Sequence, residues 1–148
     1  MNDKDDFFNS YNKGIYSKEL QLKVEHHGTH ATFLDLDITV ENNIFRYKLF
    51  DKRDAFPFFI VRMPHLDSNI PSKIFYSSIY SEILRISRCT LFLEDMVPRI
   101  AELFIRMKNQ GAKLSFLKKQ MKKCFDKFPE TFMKFGKSFD DFMSELGY

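Results

Sequence analysis

The sequence predicts an α+β protein in which a small antiparallel sheet of about three strands precedes a bundle of three to four helices. Apolar and polar residues alternate in the first half, whereas apolar residues recur at helical spacing from about residue 72 onward. Pro57, Pro64 and Pro71 separate the two patterns. The 148 residues, 44% of them hydrophobic, are enough to form one buried core.

These patterns divide the chain into three segments. Residues 1–16 are polar and acidic and form a lead-in segment. Residues 17–72 contain the predicted sheet and a connector punctuated by proline, which we expect to be extended or looped rather than helical. Residues 73–148 contain the predicted helical bundle.

Three strands are predicted in the first half. Residues 20–25 alternate apolar and polar side chains and predict the first strand, followed by a turn at residues 26–30. Residues 34–40 predict a second strand with its apolar side chains on one face. Residues 41–43 include two asparagines, which tolerate positive φ and favour a tight turn. Residues 44–50 then return as the third strand.

Two long helices follow the connector. Apolar spacing predicts the first over residues 72–88, with Ser72 as a candidate N-terminal cap. The second helix is predicted from apolar residues that share one face over residues 92–107. Pro98 removes one backbone donor and should bend this helix or delay its start. Gly111 is a candidate C-terminal cap.

The C-terminal part of the bundle combines a lysine-rich helix with a phenylalanine-rich one. A third helix over residues 114–128 ends at Pro129 and directs apolar residues inward and lysines outward. A short fourth helix over residues 132–146 carries five apolar residues at helical spacing: Phe132, Phe135, Phe139, Phe142 and Leu146.

The net charge of +3 is unevenly distributed along the chain. From Arg106 to Lys137 there are ten Lys and Arg residues against two acids, whereas the last eleven residues carry three acids and no base. This asymmetry is compatible with an anionic partner such as nucleic acid, and equally with a solvated helix face.

Two cysteines, Cys89 and Cys124, are too few for a disulfide framework and favour a reduced, intracellular protein. No apolar stretch approaches 18 residues, so we expect no membrane partner. The N-terminal residues contain no apolar signal-peptide centre, which also favours an intracellular location, cytoplasmic or nuclear.

An ordered set of short motifs over residues 20–111 resembles the segment that follows the catalytic palm in reverse transcriptases of Penelope-like and related mobile elements. The matching residues, in chain order, are Phe33-Leu34-Asp35, Phe50-Asp51-Lys52, Ser68 and Pro71, Tyr80-Ser81-Glu82, Leu84-Arg85 with Arg88, and Gln110-Gly111. Two positions depart from the family pattern. Ala112 replaces an aromatic residue, and Glu82 stands where glutamine is common.

The resemblance implies a primer grip followed by a thumb-like helical bundle, with the backbone of an RNA or DNA template-primer as partner and an upstream palm domain as a further one. The nucleic-acid-binding residues that we predict on this basis are Lys52, Arg53, Arg85, Arg88, Lys118, Lys119 and Lys122. Guanidinium and ammonium groups bind phosphate oxygens, which gives affinity that depends on salt and not on sequence.

The sequence predicts no catalytic residue in this chain. A reverse transcriptase needs an aromatic residue, any residue and two aspartates to hold its metal ions. Asp5-Asp6 and Asp140-Asp141 lack the aromatic residue at the required position. We therefore expect no cofactor here, and divalent metal only with the missing palm.

Some of these residues have alternative interpretations. His26, His27 and His30 with Cys89, or Asp35 with Asp37, are weak candidates for metal ligands, and a structural role fits both sets better. Arg53 and Arg85 have carboxylates close in sequence and can be paired with them instead of with phosphate. The alternative function is a protein-interaction module derived from a mobile element, with no role in nucleic-acid binding.

Overall fold

The structure, a computed structural model, describes residues 28–58, 60–61 and 63–148. It confirms the predicted α+β architecture, with an antiparallel sheet of strand order β1-β2-β3 followed by helices. The elements in the described part of the chain are β1 (His30–Phe33), β2 (Leu36–Glu41), β3 (Ile44–Leu49), α1 (Ser72–Arg88), α2 (Leu93–Asn109), α3 (Leu114–Lys127), α4 (Pro129–Met133) and α5 (Phe139–Glu145).

Strands β1 and β2 form a hairpin around a two-residue turn at Leu34 and Asp35. Phe33 pairs with Leu36 on either side of this turn, and Leu34 has φ of 54°. The prediction of one strand through residues 34–40, preceded by a turn ending at His30, was therefore wrong in its boundaries. Leucine rarely adopts positive φ, so the sequence carries no turn signal there. The strand predicted at residues 20–25 lies outside the described residues.

The turn between β2 and β3 is the predicted one. Asn42 and Asn43 have φ of 50° and 62°, and Glu41 pairs with Ile44 across the turn. Two successive residues with positive φ match the right-handed twist of the flanking strands. Asparagine adopts this conformation more readily than most residues, so the turn follows directly from the sequence.

The connector is mostly irregular, as predicted, but it begins with one turn of 3₁₀ helix at Lys52–Ala55. The Asp51 side chain accepts a hydrogen bond of 3.0 Å from the backbone N–H of Arg53 and caps this turn. Capping places Asp51 and Arg53 side by side at the point where the sheet meets the helices.

The two long helices form the centre of the core. Helix α1 begins at Ser72 itself, with Pro71 at the N-cap position and no side-chain cap. Helix α2 begins before Pro98, which lies inside it and leaves the carbonyl of the preceding turn without a backbone donor. The fully buried side chains of these helices include Ile79, Ile83, Met96, Ile100 and Phe104.

Helix α2 ends at the predicted glycine. Gly111 has φ of 90°, and its N–H donates to the Lys108 carbonyl at 3.0 Å. The Ala112 N–H donates to the Met107 carbonyl at 2.9 Å. This pair of hydrogen bonds is the Schellman motif, which requires a left-handed residue where glycine stands. The Ala112 side chain is buried in the core.

The C-terminal residues cover the core with aromatic side chains from two short helices instead of the predicted single one. Phe125 stacks on Phe132 with ring centroids 4.1 Å apart and meets Phe142 at 5.7 Å. Helix α5 starts with a capping box between Ser138 and Asp141, which lowers the pKa of that carboxyl below its ordinary value. Local capping thus gives α5 an N-terminus separate from α4.

Candidate nucleic-acid interface

The predicted binding residues fall into two groups in the structure. Lys52, Arg53 and Arg85 lie where the 3₁₀ turn and the β1–β2 turn meet helix α1. Arg88, at the C-terminal end of helix α1, and the lysines along helix α3 form the second group, and Arg88 and Lys127 both lie over the Phe128 ring. The two groups differ in the partners of their charges.

Arg53 is held by a carboxylate of its own turn. Its Nε donates to both oxygens of Asp51 at 2.8 Å, its Nη2 contacts Asp51 Oδ2, and Glu82 Oε1 lies 3.8 Å from Nη2. The hydrogen bonds from Arg53 lower the pKa of Asp51 from 3.8 to about 2. The Arg53 guanidinium group is therefore already paired with a carboxylate, whereas the neighbouring Lys52 side chain is exposed to solvent.

Arg85 also faces carboxylates. Its Nε and Nη2 lie 3.2 and 3.1 Å from Asp35 Oδ2 in the β1–β2 turn, and its Nη1 lies 3.2 Å from Glu82 Oε1. The side chain is about one quarter exposed. Glu82, the departure from the family pattern, thus contacts both arginines: it links helix α1 to the 3₁₀ turn through Arg53, while Arg85 links the same helix to the β1–β2 turn through Asp35.

The same ion-pair network continues onto helix α2. Arg99 contacts Asp54 of the 3₁₀ turn and donates to Glu102 at 3.1 Å, and Glu102 also contacts Arg106. The hydrogen bonds that Arg99 donates to Asp54 raise the pKa of Arg99 above its ordinary value. This part of the network was not among the residues predicted from the sequence. The spacing of Arg99, Glu102 and Arg106 on one helix face was the available signal.

The second group forms a continuous cationic surface. Lys119, Lys122, Lys123 and Lys127 are exposed on one face of α3 and line a shallow groove with Gln120 and Asp126. Asp126 is the carboxylate among these lining residues and lies 3.2 Å from Lys122 Nζ. Lys118 lies at the border of this face and is half-buried.

Aromatic rings connect Arg88 to these lysines. The Arg88 guanidinium carbon lies 4.9 Å from the centroid of the Phe128 ring, and Lys127 Nζ lies 5.6 Å from the same ring. Lys123 Nζ lies 4.9 Å above the Tyr80 ring on helix α1. Contacts of this kind hold a cation in place without neutralising its charge. We call Arg88, Lys119, Lys122, Lys123 and Lys127 together the basic surface.

A third exposed feature is the apolar face of the sheet. The strand register places Phe33, Val40 and Phe45 on one face together with Leu49. Leu49 is buried against the helices, whereas Phe33, Val40 and Phe45 are 64%, 41% and 53% exposed. Exposed apolar side chains that share one face are typical of surfaces that contact other macromolecules.

The weak metal candidates do not come together in the described residues. His30 contacts Asp37 across the hairpin, and no group of three His, Cys, Asp or Glu side chains in the described ranges has the geometry of a metal site. His26 and His27 lie outside the described residues. Asp35 is occupied by Arg85.

Comparisons with known proteins add no relative. No protein-family model, curated protein or solved structure matches the chain. The resemblance to reverse transcriptases therefore stays a prediction from the sequence. Among the described helices, none combines the length and the apolar character needed to span a lipid bilayer.

Proposed function

We propose that the chain binds the sugar-phosphate backbone of nucleic acid through the basic surface, as the primer-supporting and thumb-like C-terminal region of an intracellular reverse transcriptase. In this proposal the catalytic palm belongs to another segment or chain. The observation that carries the proposal is the basic surface itself, with five cations from two helices and one carboxylate in the groove beside them.

Electrostatics supports this assignment. Lys119 and Lys123, and likewise Lys123 and Lys127, are spaced four residues apart on α3, where like charges destabilise a helix by about 0.2 to 0.5 kcal/mol per pair. A bound polyanion relieves this repulsion. Helix α3 rises by about 12 Å from Lys119 to Lys127, so the lysines can follow a run of backbone phosphates.

The first group of predicted residues has a different role in this proposal. Binding of phosphate by Arg53 or Arg85 would require displacement of Asp51, Asp35 or Glu82, each of which already contacts one of these arginines. We assign Arg53 and Arg85 to joining the sheet to helix α1. Arg88, whose partner is the Phe128 ring, keeps its guanidinium available for phosphate.

Filter binding of the full chain to an RNA–DNA hybrid tests the proposal. The double variant Lys119→Gln and Lys123→Gln should weaken binding about tenfold or more, because two phosphate contacts are lost. The control is Lys48→Gln with Lys108→Gln, which changes the net charge equally but lies outside the basic surface. Equal losses in the two variants, or none in either, would show that the basic surface is not the binding site.

The apolar face of the sheet favours one alternative, a protein-interaction module. Phe33 and Phe45 would then contact a protein partner, with no role for the basic surface. Light scattering separates the two functions. The alternative is supported if the chain forms a stable oligomer that does not bind nucleic acid. That oligomer should dissociate in the variant Phe33→Ser with Phe45→Ser. A monomer that binds the hybrid supports nucleic-acid binding.

A further inference from the structure

A small cavity lies inside the ion-pair network, where the sheet, the connector and helices α1 and α2 meet. Its volume is about 30 Å³. Apolar side chains of β3, the connector and the two helices form one part of its wall. The polar part consists of three carboxylates, three guanidinium groups and one amide: Asp51, Glu82, Glu102, Arg53, Arg99, Arg106 and Gln110.

Gln110 brings an unpaired hydrogen-bond acceptor to this cavity. The residue is 8% exposed, and its Nε2 donates to the Met63 carbonyl at 2.7 Å. Its Oε1 is buried and has no hydrogen-bond partner among the described residues. Exchanging the two amide atoms would bring Oε1 against the Met63 carbonyl, so the observed orientation is the favourable one.

A buried acceptor without a partner costs about 1 to 3 kcal/mol. The backbone around Gln110 leaves it little freedom to avoid this cost. The Leu66 N–H donates to the Gln110 carbonyl at 2.9 Å, and the next residue, Gly111, is fixed by the Schellman motif. The residue is therefore anchored at its backbone and at its Nε2, and a donor bound in the cavity that Gln110 lines would satisfy Oε1.

We propose that this cavity is a binding site for one or two resident water molecules, one of which donates a hydrogen bond to Gln110 Oε1. A water molecule needs about 10 to 15 Å³ of such space and two to four polar partners, and the cavity supplies both. Bound in this way, water connects the end of helix α2 to the ion pairs that fasten the sheet. The site is independent of the proposed nucleic-acid binding.

Volume and charge both select water over other guests. A cavity of about 150 Å³ is needed for a guest of the size of benzene, so organic ligands of that size are too large. The described lining residues carry three carboxylates and three guanidinium groups, which balance one another. A neutral donor therefore fits the lining better than an ammonium or a guanidinium ion.

Oxygen-17 relaxation dispersion, which counts long-lived internal water molecules, tests the site. Gln110→Met removes the acceptor at nearly constant side-chain volume, and the count should fall by one or two relative to the wild-type chain. The matched control, Gln120→Met on the surface of α3, should leave the count unchanged. An unchanged count in Gln110→Met would overturn the proposal.

A second measurement uses only the wild-type chain and does not depend on how the variant folds. Nuclear Overhauser spectra should show a cross-peak between water and the Gln110 side-chain amide protons, with the sign of a long-lived complex. Absence of this cross-peak would overturn the proposal. So would its loss on addition of ammonium or guanidinium at millimolar concentration, since the site would then prefer a cation.

Discussion

Replacing Asp51 by asparagine should destabilise the fold, because Asp51 joins the 3₁₀ turn to the ion-pair network. The Arg53 hydrogen bonds lower the pKa of Asp51 from 3.8 to about 2, and one pKa unit corresponds to about 1.4 kcal/mol. The shift therefore sets an upper limit of about 2.4 kcal/mol on what the ionised Asp51 side chain contributes to the free energy of unfolding. The Arg53 side chain is one fifth exposed, so solvent screens its ion pair with Asp51. We therefore expect Asp51→Asn to lower the free energy of unfolding by about 1 to 2 kcal/mol at pH 7.

The pH dependence of this loss follows from the direction of the pKa shift. Because the folded-state pKa of Asp51 lies below the unfolded-state value, its contribution is fully present above about pH 4 and is lost as the pH falls toward 2. Near pH 3 about half of it should remain. The difference in unfolding free energy between wild type and Asp51→Asn should therefore shrink over this interval.

Urea unfolding from pH 7 down to pH 2.5, followed by circular dichroism, measures this difference. Asp67→Asn is the matched control, because the Asp67 side chain is 89% exposed and its replacement should change the unfolding free energy by less than about 0.5 kcal/mol at any pH. The reasoning is refuted if Asp51→Asn is as stable as wild type at pH 7. It is also refuted if the loss is the same at pH 3 as at pH 7.

Three further predictions concern the core and the thiols. Phe142→Ala should lower the unfolding free energy by about 3 to 5 kcal/mol in urea titrations, because the ring is fully buried and its removal leaves a cavity. Gly111→Ala should cost about 1 to 3 kcal/mol in the same assay, because φ is 90° there and the new Cβ would lie 3.2 and 3.3 Å from two connector side chains. Burial raises the pKa of Cys124 to about 12, so mass spectrometry after iodoacetamide treatment at pH 8 should find Cys89 labelled well before Cys124. Rapid labelling of Cys124 in the folded chain would contradict its placement in the core.

The sequence predicts most of this fold because its signals are local. The helix periodicity, the two asparagines of the β2–β3 turn and the glycine after α2 each act within a few residues. The β1–β2 turn escaped prediction because Leu34 adopts a conformation that leucine normally avoids. The break between α4 and α5 escaped it because the phenylalanine spacing continues across Gly136, which has φ of 63°.

The candidate site was predictable only in part, since long-range contacts decide which cations are free. Arg85 meets a carboxylate 50 residues away, and Arg99 meets one 45 residues away. Spacing along the chain cannot reveal such pairs. The cation–π contact that joins Arg88 to the α3 lysines depends in the same way on the packing of α1 against α3.

The salt dependence of binding tests the central claim, that the basic surface contacts backbone phosphates, most directly. Affinity for an RNA–DNA hybrid should be measured from 50 to 300 mM KCl. Five cations that each neutralise one phosphate predict a slope of log K against log salt concentration of about −4.5. The variant Lys119→Gln with Lys123→Gln should reduce the slope by about two units. A wild-type slope near zero, or one that the variant leaves unchanged, would contradict the account.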